Sequence, residues 1–191
     1  MERLLIGIGQ AGIDIVENIS RDISLETAAI DLDRYSLHAA DVDHSVFVKE
    51  TEALDASGLN IDHEIDINSI EHVKELIEPY DGLYIISALG GRAGGVIVPA
   101  VAKTALEMGL QVHGKIILPF EEEESKRQIA ELYLDNIRDL FTTLDIYDNH
   151  EYVEKADEEV TLDSLYSLHS IFEEINRDIK REIQQDILYE A

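Results

Sequence analysis

The sequence predicts a doubly wound α/β fold built on a mostly parallel sheet, closed by a long C-terminal helix. Three observations carry this. Strand-like and helix-like segments alternate along all 191 residues, the pattern of successive βαβ units. GLYIISAL (82–89) is an almost unbroken apolar run, as a parallel strand covered on both faces requires. A glycine-rich turn, GIGQAG (7–12), joins the first strand to the first helix.

RLLIGI (3–8) reads as a buried strand and DIVENIS (14–20) as the first helix. AAIDLD (28–33) and SVFVKE (45–50) are the next two strands. TEALDASGLNIDHEID (51–66) is too long for an ordinary connection and reads as a loose loop, functional or mobile. NSIEHVKELIEPY (68–80) sets Ile70, Val73 and Ile77 at helical spacing, with Asn68 and Glu71 as a capping box. VIVPAVAKTALEMG (96–109) is a helix ending at Gly109, and QVHGKIILP (111–119) is a strand. SKRQIAELYLDNIRDLFTTL (125–144) is a helix with Ser125 and Gln128 as a second capping box. LDIYD (144–148) is a short strand, and residues 161–190 form one long helix. No repeat or low-complexity linker interrupts the chain, so one domain over 1–191 is expected, without a second.

Composition narrows the function classes. Forty-one acidic against 15 basic residues give a formal net charge of −26. A phosphate backbone is bound through Lys and Arg, so nucleic acid is excluded as a partner, and anionic membranes are disfavoured on the same ground. The acidity fits a salt-rich cytoplasm or an acidic surface met by a partner. No apolar run approaches the roughly 20 residues that span a bilayer, so no membrane insertion is expected. Absence of Cys excludes disulfides, thiolate metal sites and thiol catalysis. The expected location is cytoplasmic.

Three loops at the carboxyl edge of the strands, where α/β sheets bind ligands, carry the chemistry. GIGQAG is a G-x-G-x-x-G element, and Asp31 lies nineteen residues beyond Gly12, where a ribose-binding acid of a dinucleotide fold would stand. Its glycines let backbone N–H groups approach an anion at the positive end of a helix. LGGRAGG (89–95) is a second glycine cluster opening a second helix, so a phosphate chain can be gripped from two sides. PFEEEESKR (119–127) again follows a strand and precedes a helix. By itself it reads equally well as a solvated acidic loop.

Together these loops resemble the GTP-binding domain of the FtsZ and tubulin superfamily, a Rossmann-like architecture. GIGQAGIDIVEN looks like its first phosphate loop, and GGRAGGVIVPAVA is similar to the glycine-rich signature GGGTGTGAAPVVA. The resemblance implies GTP or GDP as ligand, with Gly9, Gln10, Ala11, Gly90, Gly91, Arg92, Ala93 and Gly94 around the phosphates. AAIDLD is similar to the second loop, which implies Mg²⁺ near Asp31 or Asp33. PFEEEESKR matches P-F-x-F-E-G-x-x-R at Pro119, Phe120, Glu123 and Arg127, which implies Glu123 and Arg127 at the ribose. TLDIYDNHEY (143–152) is similar to T-L-I-V-I-P-N-D-R-L, which implies Asn149 at the guanine. The helix 161–190 resembles the family's central helix, whose first turns touch the base. The family pairs a stacking aromatic there with an Asp or Asn four residues on. Tyr166 and Ser170 hold that spacing, although Ser is a poor reader of guanine and Tyr166 reads equally as a half-buried helix aromatic. His169 reads as a surface or core histidine.

The chain also departs from the family. Arg92, Ala93 and Val96 replace Gly, Thr and Gly of the signature. The lost Thr hydroxyl is one phosphate donor fewer. Arg92 either supplies a charge-assisted contact or fills the space. The family's catalytic acids follow the pattern N-x-D-x-x-D beyond the central helix. The nearest text here, NRDIKR (176–181), has Arg181 in place of the last acid. Weak or absent GTP hydrolysis is therefore expected, with function through nucleotide-linked assembly. The partner would be a second copy or a full-length FtsZ or tubulin relative, in cytoskeletal or membrane-remodelling work. One alternative is an interaction module that has lost nucleotide. A remote one is an NAD-dependent oxidoreductase, opposed by the second glycine cluster. Ile179, Ile183 and Ile187 continue an apolar stripe along the last helix. They either lie on the sheet or overhang it and meet another subunit.

Overall fold

A computed structural model describes the backbone of residues 1–54, 61–155 and 165–190, and the side chains of 1–51, 64–153 and 168–189. Six strands form one parallel sheet. β1 (Arg3–Ile8), β2 (Glu26–Asp31), β3 (His44–Phe47), β6 (Gly82–Ala88), β7 (Gln111–Leu118) and β8 (Thr143–Asp148) lie in the order β3-β2-β1-β6-β7-β8. The order runs outward from β1 in one direction and then from β6 in the other. The chain therefore reverses between β1 and β6, where the crevice beyond the strand ends is open to a ligand.

Alternation along the strands builds two cores. Leu4, Ile6 and Ile8 of β1 face α3 (Ile67–Ile77), α4 (Arg92–Glu107) and α5 (Glu124–Ile137), whose Val73, Ile97, Val101 and Leu134 fill that layer. Leu5 points the other way, as the two-residue period demands. There it meets Val16 and Ile19 of α1 (Gly9–Ser20), Tyr152 of α6 (Asn149–Lys155), and Ile171 and Ile175 of α7 (Leu165–Glu190). The doubly wound architecture expected from the sequence is present.

The last helix lies on the sheet along its apolar stripe. Ile179 and Ile183 are fully buried in the second core and Ile187 packs against it. Ile179 and Ile183 are covered by the chain's own core and are not free for a second subunit, whereas Ile187 is only half-buried at its edge.

Several boundaries differ from the sequence reading. The stretch 51–66 is not a loose loop where described. β4 (Glu50–Leu54) and β5 (Ile61–Ile65) pair antiparallel, with Glu50 opposite Ile65. α3 is capped by Asp66, whose Oδ1 accepts from the N–H groups of Asn68 (2.9 Å) and Ser69 (3.2 Å), so Asn68 and Glu71 are not its capping box. α5 starts one residue before Ser125, with Glu123 at its N-cap and no side-chain cap, so the Ser125–Gln128 box is not used. It ends at Ile137 in a 3₁₀ turn (Arg138–Leu140) instead of running to 144. The short helices α2 (Arg34–Ala39) and α6 follow β2 and β8. Of the long helix expected over 161–190, residues 161–164 lie outside the described part.

Among the described residues, no helix is long and apolar enough to cross a membrane.

Candidate functional site

The helices differ at their starts in a way that marks the site. α2 and α3 are capped by Asp33 and Asp66 side chains. α1, α4 and α5 begin at Ile8, Gly91 and Glu123 with no side-chain cap. The first N–H groups of a helix have no partner within it, and an uncapped start leaves them to water or to an anion. All three uncapped starts open on one cleft of about 570 Å³, lined by Gly9, Gln10 and Ala11 on one side, Gly91 to Gly94 on another, and Pro119, Glu123 and Lys126 on a third. That size suits a ligand of nucleotide dimensions.

The glycines are there for contact. The sequence reading began the first helix at Asp14, but GIGQAG itself supplies its first turn. Gly9 has φ +71°, and a β-carbon on it would lie 3.1 Å from that of Ala93, so the two glycine loops meet. A β-carbon on Gly12 would stand 2.3 Å from the Ile86 carbonyl oxygen, and one on Gly94 2.4 Å from that of Ala88. No other residue lets both helices approach the end of β6 this closely. Gly90, at φ +94°, shapes the turn without lining the cleft.

The remaining wall comes from α7, α1 and the start of α6. Phe172 lines it, part exposed, with its ring 6.1 Å from that of Phe120. Asn176 lines it one helical turn further on. Asn149 is buried and its Oδ1 has no hydrogen-bond partner among the described residues, a costly state for a buried acceptor unless a ligand completes it. Of the aromatic and base-reader pair expected at Tyr166 and Ser170, the Tyr166 side chain lies outside the described part. Ser170 is exposed and does not line the cleft. The aromatic and amide that do line it, Phe172 and Asn176, keep the same four-residue spacing. The sequence hides them because Phe172 has the spacing of the helix's apolar stripe and Asn176 opens NRDIKR, the stretch nearest the catalytic-acid pattern. Asp14, Asn18, His169 and Glu173 also line this wall.

Arg127 is engaged with protein groups and does not line the cleft. Its Nη1 donates to Pro119 O (2.9 Å) and Asp148 Oδ1 (2.7 Å), its Nη2 to Asp148 Oδ2 (2.5 Å) and its Nε to Glu131 (3.1 Å). Hydrogen bonding to Asp148 raises the guanidinium above its ordinary value. Burial alone would raise the Asp148 carboxyl. The Arg127 guanidinium and the His150 N–H outweigh it and hold the acid below its usual 3.8. Arg127 thereby fixes the residue before Asn149. Glu123 does line the cleft, paired with Lys126.

Asp31 and Asp33 serve the backbone. Asp31 is buried and accepts from the N–H of Leu32 (2.6 Å), and Asp33 caps α2 through Tyr35 N (3.0 Å). Neither lines the cleft, which removes Asp31 as the ribose acid on which the dinucleotide alternative rested. Among the described residues, no group of three or more acids or histidines could hold a metal ion.

Arg92, the residue that departs from the expected signature, lines the cleft with an exposed side chain. Its Nη2 makes a 2.5 Å ion pair with Oε2 of Glu50 on β4, a carboxylate only 8% exposed.

Comparison with known proteins places this geometry. The family model described as Tubulin/FtsZ family, GTPase domain, matches residues 2–157. Cell division protein FtsZ 2 of Haloferax volcanii is 27% identical over 160 residues, covering 79% of this chain and 39% of that protein. The chain therefore spans well under half the length of this curated relative. In structure, the FtsZ dimer of M. jannaschii superposes with a TM-score of 0.76 at 20% identity, covering 94% of this chain and 53% of that one. TubZ of Bacillus thuringiensis serovar israelensis, solved as GDP-form protofilaments, gives 0.65 at 13% identity over 97% of this chain and 52% of its own. These two show a shared fold. With more than half of its length matched by the family model, the chain belongs to the Tubulin/FtsZ family and carries its GTPase domain.

Proposed function

We propose that the chain binds a guanine nucleotide, GTP or GDP, in this cleft, and that the nucleotide governs its self-assembly. The observation that carries the reading is the convergence of three uncapped helix starts on a cleft whose far wall holds an unpartnered buried amide oxygen. The backbone N–H groups of Gln10, Ala11, Ala93 and Gly94 would take the phosphates, each helix adding its positive end. Phe172 offers a stacking face, Asn149 Oδ1 an acceptor for base N–H groups, and Asn176 a second amide. Glu123 would take ribose hydroxyls, while Arg127 acts through Asp148 as a positioning residue. Mg²⁺ would enter with the phosphates, held by their oxygens and water. Asp31 and Asp33 already have backbone donors.

Weak or absent hydrolysis is part of the proposal. Among the described residues three acids line the cleft: Asp14 accepts from Gln10 (2.6 Å), Glu123 pairs with Lys126, and Glu173 with His169 (3.3 Å). The reading rests on NRDIKR, where Arg181 stands in place of the last acid that would position an attacking water. Assembly is supported by the relatives' own names and titles, a cell division protein and protofilaments. The partner would be a second copy or a longer relative, in the cytoplasm. The Arg92–Glu50 pair favours one second reading, an interaction module without nucleotide, because the guanidinium already has a countercharge.

The test is the nucleotide content of the purified protein, released by denaturation and separated by ion exchange, followed by sedimentation with and without GTP. Guanine nucleotide near one per chain and nucleotide-dependent pelleting are expected. No retained nucleotide, and no binding at millimolar GTP or GDP, would overturn the proposal in favour of the interaction module.

A further inference from the structure

We propose that Lys126, and not its neighbour Arg127, is the α5 cation that meets the bound nucleotide, and that it does so by exchanging Glu123 for the phosphate chain. The inference rests on the nucleotide reading above. Among the described residues, Arg92 of α4 and Lys126 of α5 are the Lys and Arg side chains that line the cleft. Arg127 stands roughly 100° further round the helix and is turned away, its side chain 17% exposed and bound to Pro119 O, Asp148 and Glu131. Lys126 is in the opposite state. Its side chain is 62% exposed, and its Nζ pairs with Oε1 of Glu123, one turn back on the same helix. The second glycine loop fixes where it stands. A β-carbon on Gly90 would lie 2.9 Å from Lys126 O and 3.2 Å from its Cβ, so the first turn of α5 rests against the turn that opens α4. The ammonium, on its flexible four-carbon stem, therefore lies on the side of the cleft where those two uncapped helix starts meet.

The energetics favour the exchange. An exposed ion pair three residues apart on one helix contributes little and is given up at small cost. A phosphate chain offers Lys126 several negative charges in place of one, in a cleft screened less than open solvent. Once Lys126 has moved, the Glu123 carboxylate is free to accept from the ribose hydroxyls, which donate to it. One exchange thus readies both groups, the cation for the phosphates and the acid for the sugar. The gain on Lys126 is Coulombic, so it grows with phosphate charge, and a triphosphate gains more than a diphosphate. Lys126 is then a specificity-determining residue for phosphate number. Arg127 acts through Asp148 on the base end of the cleft, and its contribution is the same whatever the phosphate number.

Calorimetric titration of GDP and a non-hydrolysable GTP analogue into nucleotide-free wild type, Lys126→Ala, Lys126→Arg and Arg127→Ala tests this. Lys126→Ala is expected to lose about tenfold in affinity for the analogue and less for GDP, with the melting temperature of the nucleotide-free protein unchanged, because the side chain it removes is exposed. Lys126→Arg keeps the charge and should recover most of the loss. Arg127→Ala should weaken both nucleotides by the same factor and lower the melting temperature. Lys126→Ala that binds both nucleotides as the wild type does, or loses the same factor with each, overturns the assignment and leaves the cleft as a nucleotide site. Wild-type protein that binds neither nucleotide overturns both.

Discussion

Arg127 and Asp148 form a two-pronged ion pair, 2.7 and 2.5 Å, that joins the first turn of α5 to the turn from which α6 begins. Asp148 Oδ1 also accepts the His150 N–H at 3.0 Å, so one carboxylate holds both Arg127 and the backbone around Asn149. The residue expected at the ribose thus sets the position of the residue expected at the base.

Stability should report this carboxylate as pH falls. Its folded pKa is depressed, so its contribution is complete above the ordinary value of 3.8 and is lost as pH drops through the lower folded value. Asp148→Asn should destabilise the chain by about 1–3 kcal/mol at neutral pH, as losing a charge-assisted hydrogen bond does. The gap from wild type should narrow below about pH 4. Urea unfolding of both proteins between pH 3 and 7 checks this. A gap that widens on acidification would contradict it.

Asn149 should separate binding from stability. Its Oδ1 is buried and unpartnered, so Asn149→Ala removes no internal hydrogen bond at that atom. The free protein is expected to change by less than about 1 kcal/mol. GTP affinity should fall about ten- to a hundredfold, the cost of one buried base contact. Thermal melts with and without GTP, together with calorimetry, measure both quantities.

Phe172 is part exposed in the free protein, and a base stacked on it would cover it. Phe172→Ala should weaken GTP and ATP alike, by about tenfold or more, because stacking does not depend on which base is bound. Asn176→Ala should weaken GTP selectively. Competition of GTP and ATP against a fluorescent guanine nucleotide distinguishes the two effects.

Lys115 tests what anchors α7. It is 2% exposed on β7 and donates to Asp145 (2.7 Å) and Glu182 of α7 (3.0 Å), while Tyr147 also bonds Glu182. Burial, then Glu182, raises the Tyr147 hydroxyl above its ordinary value. Removing the buried cation leaves two carboxylates that reach solvent, so Lys115→Met should cost less than about 1.5 kcal/mol. Glu182→Ala weakens the neutralisation of a buried ammonium and should cost more, about 2–4 kcal/mol. Denaturant midpoints of the two variants give the order directly.

Much of this site was legible in the sequence because its chemistry is local. Glycines at close spacing after a strand dictate an uncapped helix start, and both glycine loops, Gly90 apart, and Glu123 line one cleft. What escaped depends on partners far apart in the chain. Arg127 matches a ribose motif residue by residue, yet Asp148, brought beside it by the parallel pairing of β7 and β8, claims its guanidinium. Arg92 and Glu50 meet only because the stretch read as a loose loop is a hairpin. Spacing alone marks the isoleucine stripe of α7 as apolar. Periodicity alone cannot say that β1, β6 and α1 cover it. Phe172 belongs to that same stripe by spacing, which concealed its place at the cleft.

A cleft built for a guanine nucleotide discriminates among bases and cofactors. Calorimetric titration of GTP, ATP and NAD into nucleotide-free protein with Mg²⁺ reads that discrimination. One GTP site per chain is expected, with ATP and NAD at least tenfold weaker. Equal affinity for all three, or no heat with any of them, would contradict it.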